Sequence, residues 1–136
     1  MNWTLEVVVV PVSDVDRART FYEKGLGFAV DHDTGAGERR FVQLTPPGSG
    51  CSVVIGTGLT ETAPGALQGL QLVVNDVRKA RAELAGRGVE VSEVRFASPD
   101  GFRAATDDDD LNNAGFVFLS DPDGNGWAVQ QITSRP

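Results

Sequence analysis

Several things are scarce in this 136-residue chain, and each scarcity excludes something. Cysteine occurs once, as Cys51. No internal disulfide can form, so a reducing cytoplasm is the expected compartment. Lys and Arg total 12 against 19 Asp and Glu, a net charge of −7. That balance excludes a nucleic-acid surface, which needs clustered cations to displace counterions. Long apolar runs are missing, and the longest β-branched one, Val7–Val10, is far too short to cross a bilayer. No basic segment with an apolar core and a small-residue cleavage site precedes it, so a soluble cytoplasmic protein is expected. G-x-S-x-G, P-loop and dinucleotide fingerprints are all absent.

What the chain does have is internal repetition. VVVVPVSDVDRARTFYEKGLGF, Val7 to Phe28, returns in weaker form as LQLVVNDVRKARAELAGRGVEV, Leu70 to Val91. Aligning Val12-Ser13-Asp14-Val15 with Val74-Asn75-Asp76-Val77 also superposes Ala18 on Ala80 and Arg19 on Arg81. With 40% hydrophobic positions the chain is large enough for one real core, so we expect a single domain, 1–136, of two similar modules. The modules run over about 1–58 and 66–136, with Gly56–Leu67 as a small, polar, proline-containing linker.

Read in order, Leu5–Val12 is a strand and Ser13 a helix N-cap, with Asp14 and Asp16 in the first turn where the helix dipole favours acids. Gly25 suits the left-handed position that ends this helix near Lys24. Phe28–Asp33 is a strand, Gly35–Gly37 a turn, and Phe41–Thr45 and Cys51–Ile55 flank a Pro-Gly loop. In module two the corresponding pieces are strand Leu70–Val74, a helix capped by Asn75 and ended by Gly88, and strand Val89–Phe96. Ala97–Ala114 reads as an irregular stretch of the kind that forms a functional lid or is disordered, and Phe116–Leu119 with Trp127–Ile132 as a hairpin closed by DPDGNG. The expected fold is α+β, a tandem βαβββ repeat.

Few residues look chemical. His32, the only histidine, lies between Asp31 and Asp33, whose charges would raise its pKa if close, making it a weak candidate acid or base. Cys51 reads as a small buried hydrophobe. Asp121-Pro122-Asp123-Gly124-Asn125-Gly126 matches the first half of an EF-hand loop, but position twelve would be Ile132 rather than the closing Glu. A hairpin turn on Asn125-Gly126 or Asp123-Gly124 is the simpler reading. The Asp107–Asp110 run reads as a solvated face.

Pro11-Val12-Ser13-Asp14-Val15-Asp16-Arg17-Ala18, Phe21-Tyr22, Leu26-Gly27-Phe28, Asn75-Asp76-Val77, Arg87-Gly88-Val89 and Asp121-Pro122-Asp123-Gly124-Asn125 carry a family resemblance. The chain resembles the vicinal oxygen chelate superfamily of glyoxalase I, bleomycin-resistance proteins and extradiol dioxygenases. The resemblance implies a sheet curled into a cup, helices on the convex side, a concave-face site and commonly a homodimer. It also implies metal ligands (His, Gln or Glu) at positions that here are Val7, Ser52, Gly69 and Ala128, none a good donor. A two-residue shift would offer Gln71 and Gln130, two neutral amides that make a poor divalent site. No metal and no cofactor are therefore expected.

Strand alternation carries those positions into a lining: Val7, Val9, Phe41, Gln43, Ser52, Val54, Gln71, Val73, Phe116, Phe118, Ala128 and Gln130. Arg39, Arg40 and Arg103 could stand at its rim. Apolar walls with a few amides suit a small molecule. The first functional expectation is metal-free binding of a hydrophobic or aromatic ligand, such as drug sequestration. The alternatives are a lyase, isomerase or dioxygenase of the same superfamily with an off-pattern metal or metal-free acid-base catalysis, and an interaction module whose cup is filled by a partner.

Overall fold

A computed structural model of the chain describes residues 1–36 and 38–135. Its contacts divide it into two compact units. One comprises Met1–Leu67 together with Asp121–Asn125, the other Gln68–Ser120 with Gly126 onward.

In the first unit, β1 (Val7–Val9), β2 (Ala29–Ala36), β3 (Arg39–Thr45) and β4 (Ser52–Gly56) form an open sheet in the order β1-β4-β3-β2. β1 runs parallel to β4 and the remaining pairs are antiparallel. Helix α1 (Val15–Thr20) and the π-helical turn Phe21–Gly25 cross over between β1 and β2, and α1 packs on β3 and β4. The face under the helix is apolar because alternate residues of each strand point there, and Val42, Leu44 and Ile55 are buried with Ala18, Tyr22 and Phe28. Tyr22 stacks on Phe28 at 5.9 Å between ring centroids.

The second unit repeats that order and adds to it. β5 (Leu70–Val74), α2 (Val77–Gly86), β6 (Arg95–Ser98), β7 (Gly101–Ala104), β8 (Gly115–Ser120) and β9 (Gly126–Gln131) give an open sheet ordered β5-β9-β8-β6-β7. β5 is parallel to β9 as β1 is to β4, and β7 is the extra edge strand. α2 packs on β8 and β9, burying Val77 and Leu84 with Val117, Leu119, Trp127 and Val129. Two mixed sheets with few helices make the chain α+β, as the repeat predicts.

Several local expectations shift, each for a physical reason. The N-caps are Asp14 and Asp76, one residue beyond Ser13 and Asn75: their carboxylates accept from the Arg17 and Lys79 amides. The left-handed glycine after the first helix is Gly27 (φ 78), because the π-helical turn carries the chain past a buried Gly25. β1 is shorter than Leu5–Val12, although the amides of Ser52 and Val10 extend the ladder to Glu6 and Val54. Gly35 lies inside β2 rather than in a turn, while Gly37 falls outside the described residues. The strand expected over Val89–Phe96 forms at Arg95–Ser98, and β7 occupies part of the stretch read as irregular. Cys51 is partly exposed rather than a buried hydrophobe.

Candidate functional site

Alternation along β5, β8 and β9 sends one set of side chains under α2 and leaves the other set on the opposite face. Gln71 pairs with Ala128, Val73 with Gln130, Phe118 with Ala128 and Phe116 with Gln130, so these six expected lining residues share that open face. Val73 is 44% exposed and Phe118 37%. Phe102 of β7 joins them at 54% exposure. Its ring meets Phe116 and Phe118 edge-on at 5.3 and 5.2 Å, while those two lie parallel at 6.1 Å. Edge-to-face packing of this kind is favourable beyond the area it buries. A hollow of about 360 Å³ opens beside them, lined in part by Gly69, Phe118, Gly126 and Ala128.

The amides of this face are held in place. Gln71 donates to the Gln130 side-chain oxygen, and Gln130 donates to the Asn113 carbonyl at 2.8 Å. Asn113 has φ 66, a left-handed turn conformation that Asn tolerates better than most residues. The outcome is a surface with oriented amide groups beside three phenyl rings, with the exposed Arg95 of β6 registered next to Phe116 on the same face.

The other six expected lining residues belong to the first sheet. Val7 pairs with Ser52, Val9 and Gln43 with Val54, and all face away from α1 with Phe41. This face is more closed, since Ser52 and Val54 are buried. Ser52 exchanges a 2.7 Å hydrogen bond with Thr45, whose hydroxyl also reaches Asp31. His32 sits opposite Gln43, after a bulge at Asp31. Both carboxylates flanking it are engaged elsewhere: Asp31 accepts from Thr45, and Asp33 from Arg19 and Arg40. The Arg40 guanidinium, with help from Arg19, holds the Asp33 carboxyl below its ordinary pKa.

The positions that resemblance assigns to a metal do not fit one. Val7, Gly69 and Ala128 offer no side-chain donor, the Ser52 hydroxyl is engaged by Thr45, and Gln71 and Gln130 bond each other. Among the described residues there is no cluster of three or more His, Cys, Asp or Glu side chains able to hold a metal ion.

The EF-hand-like segment is engaged in the same way. Asp121 Oδ1 accepts from the amides of Asp123, Gly124 and Asn125. Its Oδ2 accepts from the Tyr22 hydroxyl and the Asn125 side chain, both at 2.7 Å. Asp123 receives the Ser13 amide and hydroxyl, with Arg17 at 3.4 Å. Of the two expected turns, the one with Gly124 in the left-handed position (φ 101) forms, closed by its amide on the Asp121 carbonyl.

The expected rim arginines separate. Arg39 shares the open-face parity of Phe41, but Arg40 points to the helix side and pairs with Asp16 and Asp33. Arg103 also lies away from Phe102: it stacks on Phe96 at 4.5 Å and clamps Asp109 through two bonds of 2.9 and 2.8 Å. Asp109 additionally accepts from the Thr106 amide at 2.7 Å, and these donors hold its carboxyl well below the ordinary carboxylate range. The Asp107–Asp110 run is thus more than a solvated face, since Asp109 is a structural acceptor and Asp110 accepts the Asn112 amide at 3.0 Å.

Phe102 was hidden by the irregular reading of Ala97–Ala114. The signal that reveals it is Ser98-Pro99-Asp100-Gly101, a Pro-Asp-Gly turn between two short aromatic-containing segments. Ser98 Oγ donates to the Gly101 carbonyl at 2.7 Å, and Gly101 takes φ 114.

Comparison with known proteins agrees with this geometry. The model of the Glyoxalase/Bleomycin resistance protein/Dioxygenase superfamily matches residues 4–129. No curated protein matches the sequence. Among solved structures, TnmS3, an antibiotic binding protein from Streptomyces sp. CB03234, is 29% identical with a TM-score of 0.74, over 96% of this chain and 97% of that one. A glyoxalase/bleomycin resistance protein from the same organism is 30% identical (TM-score 0.71; 94% and 100% covered). A superfamily member from Sphaerobacter thermophilus DSM 20745 is 28% identical (TM-score 0.73; 96% and 98% covered).

Proposed function

The chain belongs to the glyoxalase/bleomycin resistance protein/dioxygenase superfamily, and we propose that it binds a hydrophobic, ring-containing small molecule without metal and returns it unchanged. The observation that carries this reading is the phenyl cluster of exposed Phe102 and Phe118 with half-buried Phe116 beside an oriented pair of amides. Aromatic side chains left at a surface supply affinity when covered, and a few fixed polar groups supply orientation. An antibiotic binding protein among its structural relatives makes antibiotic sequestration the natural role. The lack of a donor set at Val7, Ser52, Gly69 and Ala128 supports the metal-free part of the reading.

A lyase, isomerase or dioxygenase reading needs a bound metal or an activated acid-base pair. His32 does not form such a pair with its neighbours, because the flanking carboxylates are turned to Thr45, Arg19 and Arg40. We take the protein to be cytoplasmic and homodimeric; Trp3 and Leu5, exposed beside the edge strand β1, support self-association.

Calorimetric titration of EDTA-dialysed protein with bleomycin and a panel of polycyclic aromatic antibiotics tests the proposal. At least one should bind at micromolar concentration or better and be recovered with unchanged mass. Binding that requires added metal, or chemical conversion of the ligand, would overturn it. Light scattering should give a dimer mass.

A further inference from the structure

Among the described residues the strand β7 has no counterpart in the first sheet, where β2, the equivalent of β6, is the edge strand. It is exposed along its whole length, and among the described residues its strand pairing is with β6 alone. β6 in turn is registered to β8 only at Arg95–Phe116 and Phe96–Gly115, flanked by bonds from the Ala97 amide to the Ala114 carbonyl and from the Ser92 amide to the Phe118 carbonyl, both 2.9 Å, and from the Phe118 amide to the Ser92 hydroxyl. A two-strand ribbon held by so few ladder bonds belongs to the low-stability end of a fold.

Two contacts on opposite faces compensate. On the open face, Phe102 leans its ring against Phe116 and Phe118. On the other face the next residue, Arg103, is gripped by both oxygens of Asp109 and rests on Phe96. Asp109 is itself fixed by the Thr106 amide and hydroxyl. Phe102 and Arg103 are neighbours on one strand, so their side chains point to opposite faces and move together when the strand moves. A planar bidentate pair fixes orientation as well as distance, which a single charge contact does not.

We infer that the β6–β7 hairpin is a movable edge of the aromatic face, and that Asp109 is a positioning residue that holds it in place through Arg103. The ligand-affinity part of this inference rests on the binding reading above; the latch itself does not. Phe102, 54% exposed, then forms a movable third wall rather than part of a rigid core. A ligand broad enough to touch all three rings would lose one of its walls when the latch is released.

The test compares wild type with Asp109→Asn and Asp109→Glu. Hydrogen exchange of the ligand-free protein should accelerate across 101–104 in Asp109→Asn, by about ten-fold for a locally opening segment. The melting temperature should stay within a few degrees of wild type, because the ribbon lies outside the buried core. Affinity for the neutral fluorophore N-phenylnaphthylamine should fall about five- to ten-fold, and Asp109→Glu should recover part of both losses. Unchanged exchange across 101–104 in Asp109→Asn overturns the latch. Accelerated exchange with unchanged affinity overturns the positioning role. If wild type takes up no fluorophore, the binding reading falls and the positioning role with it, while the exchange result still decides the latch. Should Asp109→Asn fold poorly, Arg103→Lys, which keeps the charge but not the planar fork, must show the same exchange and affinity changes.

Discussion

Asn125 offers the sharpest stability test, because its side chain is fully buried and every polar atom on it is engaged. Its amide donates to the Pro11 carbonyl at 2.8 Å and to Asp121 Oδ2 at 2.7 Å, and its oxygen accepts the Leu67 amide at 3.1 Å. In Asn125→Ala the Asp121 oxygen keeps its bond from Tyr22, but the Pro11 carbonyl and the Leu67 amide lose this partner. The Leu67 amide costs roughly 1–3 kcal/mol when unpaired and the Pro11 carbonyl, which keeps a 3.4 Å bond from the Gly65 amide, somewhat less, so the expected loss is about 2–5 kcal/mol. For a chain of this size a loss of 1 kcal/mol lowers the melting temperature by roughly 3 °C, which predicts a drop of about 6–15 °C. Differential scanning calorimetry with urea titration measures both numbers. A well-folded Asn125→Ala protein losing less than about 1 kcal/mol would refute the view that this segment is a structural knot. The same view predicts that millimolar calcium leaves the wild-type melting temperature unchanged, since the Asp121 and Asp123 carboxylates already accept from N–H and O–H donors.

Other consequences are more compact. Phe118→Ala removes an exposed ring at the centre of the cluster and should weaken aromatic ligands by roughly 1–2 kcal/mol, about five- to thirty-fold, in a calorimetric titration, with little change in stability. Gly65→Ala should destabilise by more than about 1 kcal/mol in thermal denaturation, because φ is +83° and the new Cβ would lie 2.1 Å from the Asp123 carbonyl oxygen. The Asp109 carboxyl, depressed chiefly by its bonds to Arg103, contributes stability that is complete above the unfolded value of about 4 and is lost as pH falls through the lower folded value. A carbon-13 carboxyl titration should therefore show Asp109 ionised and the 101–104 ribbon intact from pH 7 to about 4; release near pH 5–6 would contradict the clamp.

The parts of this protein that were legible in the sequence are those governed by periodicity. Val117, Leu119, Trp127 and Val129 alternate with Phe116, Phe118, Ala128 and Gln130, and that alternation alone separates the helix-covered face from the open one. The same parity parts Arg39, on the side of Phe41, from Arg40, which turns to Asp16 and Asp33. The cap positions were not legible, because Ser13 and Asp14 are equally good capping residues; geometry gives Asp14 to the helix and Ser13 to Asp123. Gly25 and Gly27 compete in the same way, and a π-helical turn that leaves no pattern in the residues decides between them. β7 was missed because strands of four residues are too short for an alternation to register, and the acidic run nearby made the stretch resemble solvated loop. Which acid of that run mattered depended on a partner, Arg103, whose direction only the folded hairpin sets.

The central claim is that an aromatic ligand sits against Phe102, Phe116 and Phe118 without metal. Nuclear Overhauser contacts between one bound polycyclic antibiotic and the phenyl ring protons of EDTA-treated protein test it most directly. The account predicts contacts to all three rings and a ligand whose spectrum is unchanged after hours of incubation. Contacts confined to other residues, binding that appears only when a metal is restored, or signals of a new product would contradict it.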